Sequence, residues 1–114
     1  MSVVIYHNPR CSKSRQTLAL LEEKGISPEV VKYLEAPLSV ELLKTLFAQL
    51  ELNEVRQMMR VKEAEYKEQN LADASDEALF EAMVNTPKLI ERPIVVNNGK
   101  ARLGRPPEQV LEIV

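Results

Sequence analysis

The chain has one cysteine and one histidine in 114 residues, and each scarcity excludes a class of protein. One cysteine cannot close an internal disulfide, so stability does not depend on an oxidising compartment. One cysteine and one histidine cannot by themselves complete a four-ligand structural zinc site, and no metal is expected. An excess of either charge is also lacking, since 15 Lys and Arg stand against 17 Asp and Glu for a net charge of −2. Bulk electrostatics therefore gives no reason to expect binding to nucleic acid or to an anionic membrane. No apolar run approaches the length of a membrane span. The start, MSVVIYHNP, lacks the basic segment and the long apolar core of a secretory signal. Cytoplasmic residence is the expectation. Neither an internal repeat nor a low-complexity tract is present.

What is present suits an ordinary globular protein, with 45% hydrophobic residues and a length that builds one modest core. SVVIYH reads as a short strand at about residues 3–6, ended by Pro9. From Ser12 the pattern turns helical through Thr17, Leu18, Leu20 and Leu21, with Gly25 as a C-terminal stop. PEVVKYLE is a second strand near residues 29–34, which makes a right-handed β-α-β unit with parallel strands.

Pro37 breaks the chain and Ser39 caps a helix through Leu42, Leu43, Leu46, Phe47 and Leu50. Asn53 is expected to cap a short helix with Val55, Met58 and Met59 that ends near Arg60, and KEAEYKEQN reads as a solvated helix. LADASD is a loop, Ser75 caps another helix through Ala78, Leu79, Ala82 and Met83, and NTP closes it. RPIVVNNGKARLG then holds two strands around an Asn98-Gly99 turn, the strongest hairpin signal in the chain. RPPEQVLEIV starts a terminal helix with proline at its first position. The expected fold class is α/β: a thioredoxin-like β-α-β…β-β-α sheet with an all-helical insertion, about residues 39–90, between the second and third strands. Residues 1–114 are expected to form a single domain.

The lone cysteine and histidine stand four positions apart in YHNPRCSKSR, where the first strand gives way to the first helix. A free cysteine has a pKa of about 8.5, so only about 3% is thiolate at pH 7. Each tenfold rise in that fraction asks about 1.4 kcal/mol of the surroundings. Cys11 precedes a helix whose unpaired N–H groups and dipole favour negative charge. Arg10, Lys13 and Arg15 add positive potential, and His7 adds to it when protonated. The same arrangement, with Ser12 and Ser14 as further donors, suits a tetrahedral oxyanion. A lone cysteine is most often a small buried hydrophobe; here the helix start and the cations reverse that reading. Lys13 reads as solvated on the outer face of the helix.

At YHNPRCSKSR the chain resembles the glutaredoxin-coupled arsenate reductase family, and the resemblance continues through YLEAP, MMRVKE, LIERPIVV and RLGRPPE in the same order. The family fold is thioredoxin-like with a helical insertion, in agreement with the reading above. The resemblance implies that Cys11 is the catalytic nucleophile, with His7 and Ser14 helping to hold its thiolate. It implies that Arg60, Arg92 and Arg105 bind the oxyanion. Independently of the resemblance, Arg10 and Arg15 are expected to support the anion site through their local charge, and Arg92 precedes Pro93, a candidate cis proline at the start of a strand in this fold. The resemblance further implies arsenate as substrate, glutathione as co-substrate, glutaredoxin as partner and no bound cofactor. The chain resembles a short member, since it stops soon after its last helix where longer reductases carry a C-terminal extension. Arg10 is not what the best-known reductases carry before the cysteine.

One inference is independent of the resemblance: with no second cysteine, the chain cannot resolve its own oxidised sulfur and needs an external thiol. A reductase of the phosphatase-like type is excluded, because Arg15 follows Cys11 after only three residues and no relay cysteine exists. Two alternatives remain on the same fold. One is a redox-related regulator that binds RNA polymerase, for which Cys11-Ser12-Lys13-Ser14 lacks the usual CxxC switch. The other is a glutathione-linked thiol oxidoreductase with another substrate, against which the three arginines speak.

Overall fold

Val4, Ile5 and Tyr6 form strand β1, and the computed structural model to which they belong describes residues 3–36 and 38–114. The expected break at Pro37 lies outside the described residues, as do Met1 and Ser2. The chain divides into two compact units, residues 1–36 with 92–114 and residues 37–91.

The first unit is the sheet. Its strands are β1, β2 (Glu29–Val31), β3 (Ile94–Asn97) and β4 (Lys100–Leu103), in the order β2-β1-β3-β4. β1 and β2 run parallel, while β3 is antiparallel to both β1 and β4. The register aligns Tyr6 with Val31 and Ile94, and Ile94 with Leu103, so these four residues mark one end of the sheet. Asn98 (φ 54°) and Gly99 (φ 76°) make the expected hairpin turn with two left-handed residues. β2 is shorter than the run of β-branched residues suggested, ending at Val31, and its Glu29 and Val30 are exposed as on an edge strand.

Helix α1 spans Ser12–Glu23 and turns Ser14, Thr17 and Leu21 inward, one helical face by spacing. It ends in a Schellman motif, since Ile26 N–H donates to the Leu21 carbonyl and Gly25 N–H to the Glu22 carbonyl, both at 3.0 Å. Gly25 supplies the left-handed residue, with φ +80°. Ile5, Leu21, Val95 and Val110 form the core of this unit, flanked by Val3, Leu18, Ile26 and Ile113. The terminal helix is not α but a 3₁₀ helix, Pro107–Glu112. The i, i+3 repeat of that geometry sets Pro107 and Val110 on one buried face, and the segment packs on α1 and β4.

The second unit is helical. Its helices are α2 (Val40–Leu50), α3 (Ala64–Glu68) and α4 (Asp76–Asn85), with 3₁₀ turns at Val55–Met58, Leu71–Asp73 and Pro87–Leu89. Ser39 and Ser75 cap α2 and α4 as expected, accepting from Leu42 N–H at 3.0 Å and Ala78 N–H at 3.3 Å. α2 packs on α4, and Phe80 meets Phe47 edge-on at 6.1 Å. Three local expectations are corrected. The cap of the Val55 turn is Glu54, whose side chain pairs reciprocally with Gln57, rather than Asn53. The segment expected as a solvated helix keeps only five helical residues and buries Tyr66. The expected loop after it contains a 3₁₀ turn. The first is a local capping box, whereas in the other two Arg56 holds the stretch through Tyr66 Oη and the carbonyls of Leu71, Ala72 and Ala74, a tertiary anchor that wins over local propensity. Among the described residues, no helix is long and apolar enough to cross a membrane.

Candidate active site

The connection from β1 to α1 is built around Asn8. Its carbonyl accepts from Cys11 N–H and its Oδ1 accepts from Arg10 N–H, both at 3.0 Å, while its own N–H donates to Ser14 Oγ at 3.0 Å. Asn8 therefore fixes the turn at three points before the helix begins. Cys11 is left as the N-cap of α1 in an extended conformation (φ −94°, ψ 124°), with its sulfur facing the first N–H groups of the helix.

Cys11 is only 8% exposed, and burial by itself pushes the thiol up. The Ser14 backbone N–H, the Arg92 charge, the Lys13 backbone N–H and a hydrogen bond from the Arg92 guanidinium together outweigh that and hold it below its ordinary value. The charge that acts on the sulfur is thus that of Arg92, rather than those of its chain neighbours Arg10 and Arg15. Arg10 is exposed, and Arg15 donates from Nη1 to the Pro9 carbonyl at 2.9 Å, which braces the turn from outside. Lys13 is solvated as expected and reaches the thiolate only through its backbone.

His7 extends β1 by donating its N–H to the Val31 carbonyl at 2.8 Å. Its ring is buried, and Nδ1 lies 2.6 Å from Ser14 Oγ, in a bond whose direction follows the ring tautomer. The positive potential that a protonated His7 would add is absent at neutral pH. Burial, then the charges of Lys32 and Arg15, hold the ring below its ordinary value, so it is neutral at pH 7. Ser14 is fully buried, and its hydroxyl serves His7 and Asn8 while its backbone N–H serves the thiolate.

Arg92 just precedes β3 and Arg105 just follows β4, both at the marked end of the sheet. Arg92–Pro93 is cis, and Arg105–Pro106 is cis as well. Gly104 N–H donates to the Pro93 carbonyl at 3.0 Å and Arg105 Nη1 to the Arg92 carbonyl at 3.3 Å, so the two arginine segments lie side by side. Gly104 is required at this point. A Cβ there would lie 2.7 Å from Pro93 Cγ and closer still to Thr17 Oγ1, so no side chain fits between the cis-proline segment and α1.

Arg60 belongs to the helical unit. Its N–H donates to the Leu89 carbonyl at 2.7 Å beside the antiparallel Met59–Ile90 bridge. Its Nη1 pairs with Glu63 Oε1 at 3.0 Å, and Glu63 in turn faces Lys88, which pairs with Glu65 at 3.1 Å. Among the described residues, no group of three or more His, Cys, Asp or Glu is placed to hold a metal ion.

The sequence reading did not single out Asn8, Thr17 and Gly104 as parts of this framework. Asn-Pro at the end of a strand was the available signal for the first, being a turn starter. Nothing local marks the other two, which matter through each other.

Comparison with known proteins agrees with this architecture. The ArsC family model matches residues 6–113. An arsenate reductase of Haemophilus influenzae is 55% identical over 116 residues, spanning all of both chains. The uncharacterized protein YfgD of Escherichia coli K12 is 65% identical over 98% of this chain and 96% of its own. The solved structure of an arsenate reductase from Vibrio cholerae superposes with a TM-score of 0.98 at 72% identity, over 100% of this chain and 98% of that one. With a thiol at a helix start, paired arginine segments and a family match over nearly its whole length, the chain belongs to the ArsC family.

Proposed function

We propose that this protein is an arsenate reductase that uses glutathione and glutaredoxin, with Cys11 as its nucleophile. The observation that carries the reading is the Cys11 sulfur itself, nearly buried yet held toward thiolate by two helix-start N–H groups and Arg92. Names of the relatives at 55% and 72% identity agree with it.

The Cys11 thiolate attacks arsenic(V), forming an S–As bond while one arsenate oxygen leaves as water. Arg92 and Arg105 neutralise the oxyanion in this step. A glutathione thiolate then attacks the Cys11 sulfur. The S–As bond breaks with its electron pair left on arsenic, which becomes arsenite, and Cys11 is left in a mixed disulfide with glutathione. Glutaredoxin takes the glutathionyl group and returns the thiolate, a step that a one-cysteine chain needs from outside. His7 and Ser14 hold the turn and the helix start in place for the thiolate, with His7 neutral. Arg60 is assigned to the oxyanion by the family resemblance, and that role requires it to exchange Glu63 for the substrate. The reduced thiol pools of the cytoplasm are the setting that suits this chemistry.

The test is a coupled assay with glutathione, glutaredoxin, glutathione reductase and NADPH. Arsenate is expected to start NADPH consumption with the native protein and not with Cys11→Ser. Equal rates for the two proteins would remove the assignment.

A further inference from the structure

The sheet order sets two different surfaces on either side of the Cys11 turn. The β3–β4 flank carries Arg92 and Arg105. The β1–β2 flank carries a groove of about 390 Å³, walled by residues 7–10 on one side and by Lys32, Leu34 and Glu35 on the other. Both flanks belong to the same end of the sheet, because Val31, Tyr6, Ile94 and Leu103 are in register there. Cys11 N–H donates to the Asn8 carbonyl at 3.0 Å, so the nucleophile and the groove wall are parts of one turn.

The lining of the groove has a particular charge pattern. Arg10 and Lys32 are cations, Glu35 is an anion, and between them lie Pro9 and Leu34, the latter 43% exposed. Among the described residues, no ion pair engages Arg10, Lys32 or Glu35. The positive potential on this wall is felt locally, since Lys32 is one of the charges that keep His7 neutral. Glutathione at neutral pH carries two carboxylates, one ammonium and a thiol. Two cations and one carboxylate are the mirror of that set, and the volume falls in the range of about 300–1,000 Å³ that small-ligand pockets occupy.

Direction is the second argument. Displacement at sulfur proceeds with the attacking thiolate, the attacked sulfur and the leaving atom close to a line. If arsenic is bonded to Cys11 on the arginine flank, the attacking thiolate has to arrive from the opposite flank. We propose that the groove between residues 7–10 and Lys32–Glu35 is the glutathione subsite, which delivers the thiol to Cys11 from the side opposite the oxyanion. This deepens the reductase reading and rests on it for the position of arsenic, while the groove and its charges do not.

The test therefore omits arsenate. Glutathione disulfide reacts with the Cys11 thiolate to give the Cys11–glutathione mixed disulfide and one free glutathione thiolate, a balanced exchange that mass spectrometry follows. The neutral 2-hydroxyethyl disulfide reacts with the same sulfur without charges for the groove to read. Lys32→Glu is expected to slow the reaction with glutathione disulfide at least tenfold and to change that with the neutral disulfide less than twofold. Lys24→Glu, the same charge change at the far end of α1, is expected to leave both rates within twofold. In the native protein, S-methylglutathione is expected to shift the backbone amide signals of residues 8–10 and 32–35. Equal rates for native and Lys32→Glu protein with glutathione disulfide, equal losses with both disulfides, or amide shifts confined to other segments would overturn the proposal. A protein that passes these tests but fails the arsenate assay would lose the reductase reading and keep the glutathione groove.

Discussion

Arg56 in the helical unit and Arg92 in the sheet unit are both half-buried arginines, and they do opposite things. Arg56 turns its guanidinium onto its own unit: Nε donates to Tyr66 Oη at 3.0 Å, Nη2 to the carbonyls of Leu71, Ala72 and Ala74, and Nη1 to Glu54 at 2.8 Å. It ties the stretch around α3 to the Val55 turn, where short helices leave carbonyls without partners. Arg92 directs charge and a hydrogen bond at the Cys11 sulfur. The difference teaches that an arginine is read by what its donors face. One that faces backbone carbonyls is a staple, and one that faces a thiol tunes it.

The largest expected effect separates the two roles. Arg92→Ala should lower arsenate turnover about a thousandfold, the upper end for loss of one preorganised charge partner. It should also raise the Cys11 titration midpoint, measured by thiolate absorbance, because the remaining lowering groups are backbone N–Hs working against burial. Arg56→Ala should leave that titration unmoved. The same linkage reaches stability. The folded thiol sits below its ordinary value, so its contribution is full above about pH 8.5 and is lost as pH falls through the folded value. Urea unfolding across that range should show the rise in the native protein and a weaker one in Arg92→Ala. If Arg92→Ala titrates like the native protein, the comparison fails at its root.

Next in size, Arg56→Ala should cost about 3 kcal/mol of stability, since it leaves several carbonyls and a tyrosine hydroxyl with poorer partners. Its arsenate rate per folded molecule should hold within about twofold of native. A loss below about 1 kcal/mol in urea unfolding would mean that water replaces the guanidinium without difficulty, and the staple reading would go. The smallest effect is that of Gly104→Ala, expected to cost about 2 kcal/mol by overpacking against Thr17 and Pro93. It should also shift the backbone NMR signals of residues 92–93, because the clash falls on the arginine segment of the sheet unit. An unchanged midpoint of unfolding would show that the cis-proline segment moves aside freely.

Much of the fold could be read along the chain because its signals are local. A β-branched run, a Schellman stop at Gly25, serine caps at Ser39 and Ser75 and an Asn98-Gly99 turn each involve residues a few positions apart. The short helices around residues 51–75 were harder, since Tyr66 and Arg56 hold them from ten positions away and propensity does not see that contact. The same limit applied at the site. Cys11 at a helix start was visible in sequence, whereas the guanidinium that acts on it was not, because Arg10 and Arg15 are nearer in the chain and Arg92 is nearer in space. A protonated His7 would add charge, and burial first, then the charges of Lys32 just past β2 and of Arg15, keep the ring neutral.

The sequence by itself determined the order of elements, the single thiol and its place before a helix, since all of these are carried by neighbouring residues or by a simple count. Only the tertiary structure decided which charges reach the sulfur, that the histidine is neutral, and that an arginine flank and a groove stand on opposite sides of one turn. Electrostatic energy falls with distance through space and not with separation along the chain, so strand order, set by the pairing of β1 with both β2 and β3, chooses the neighbours.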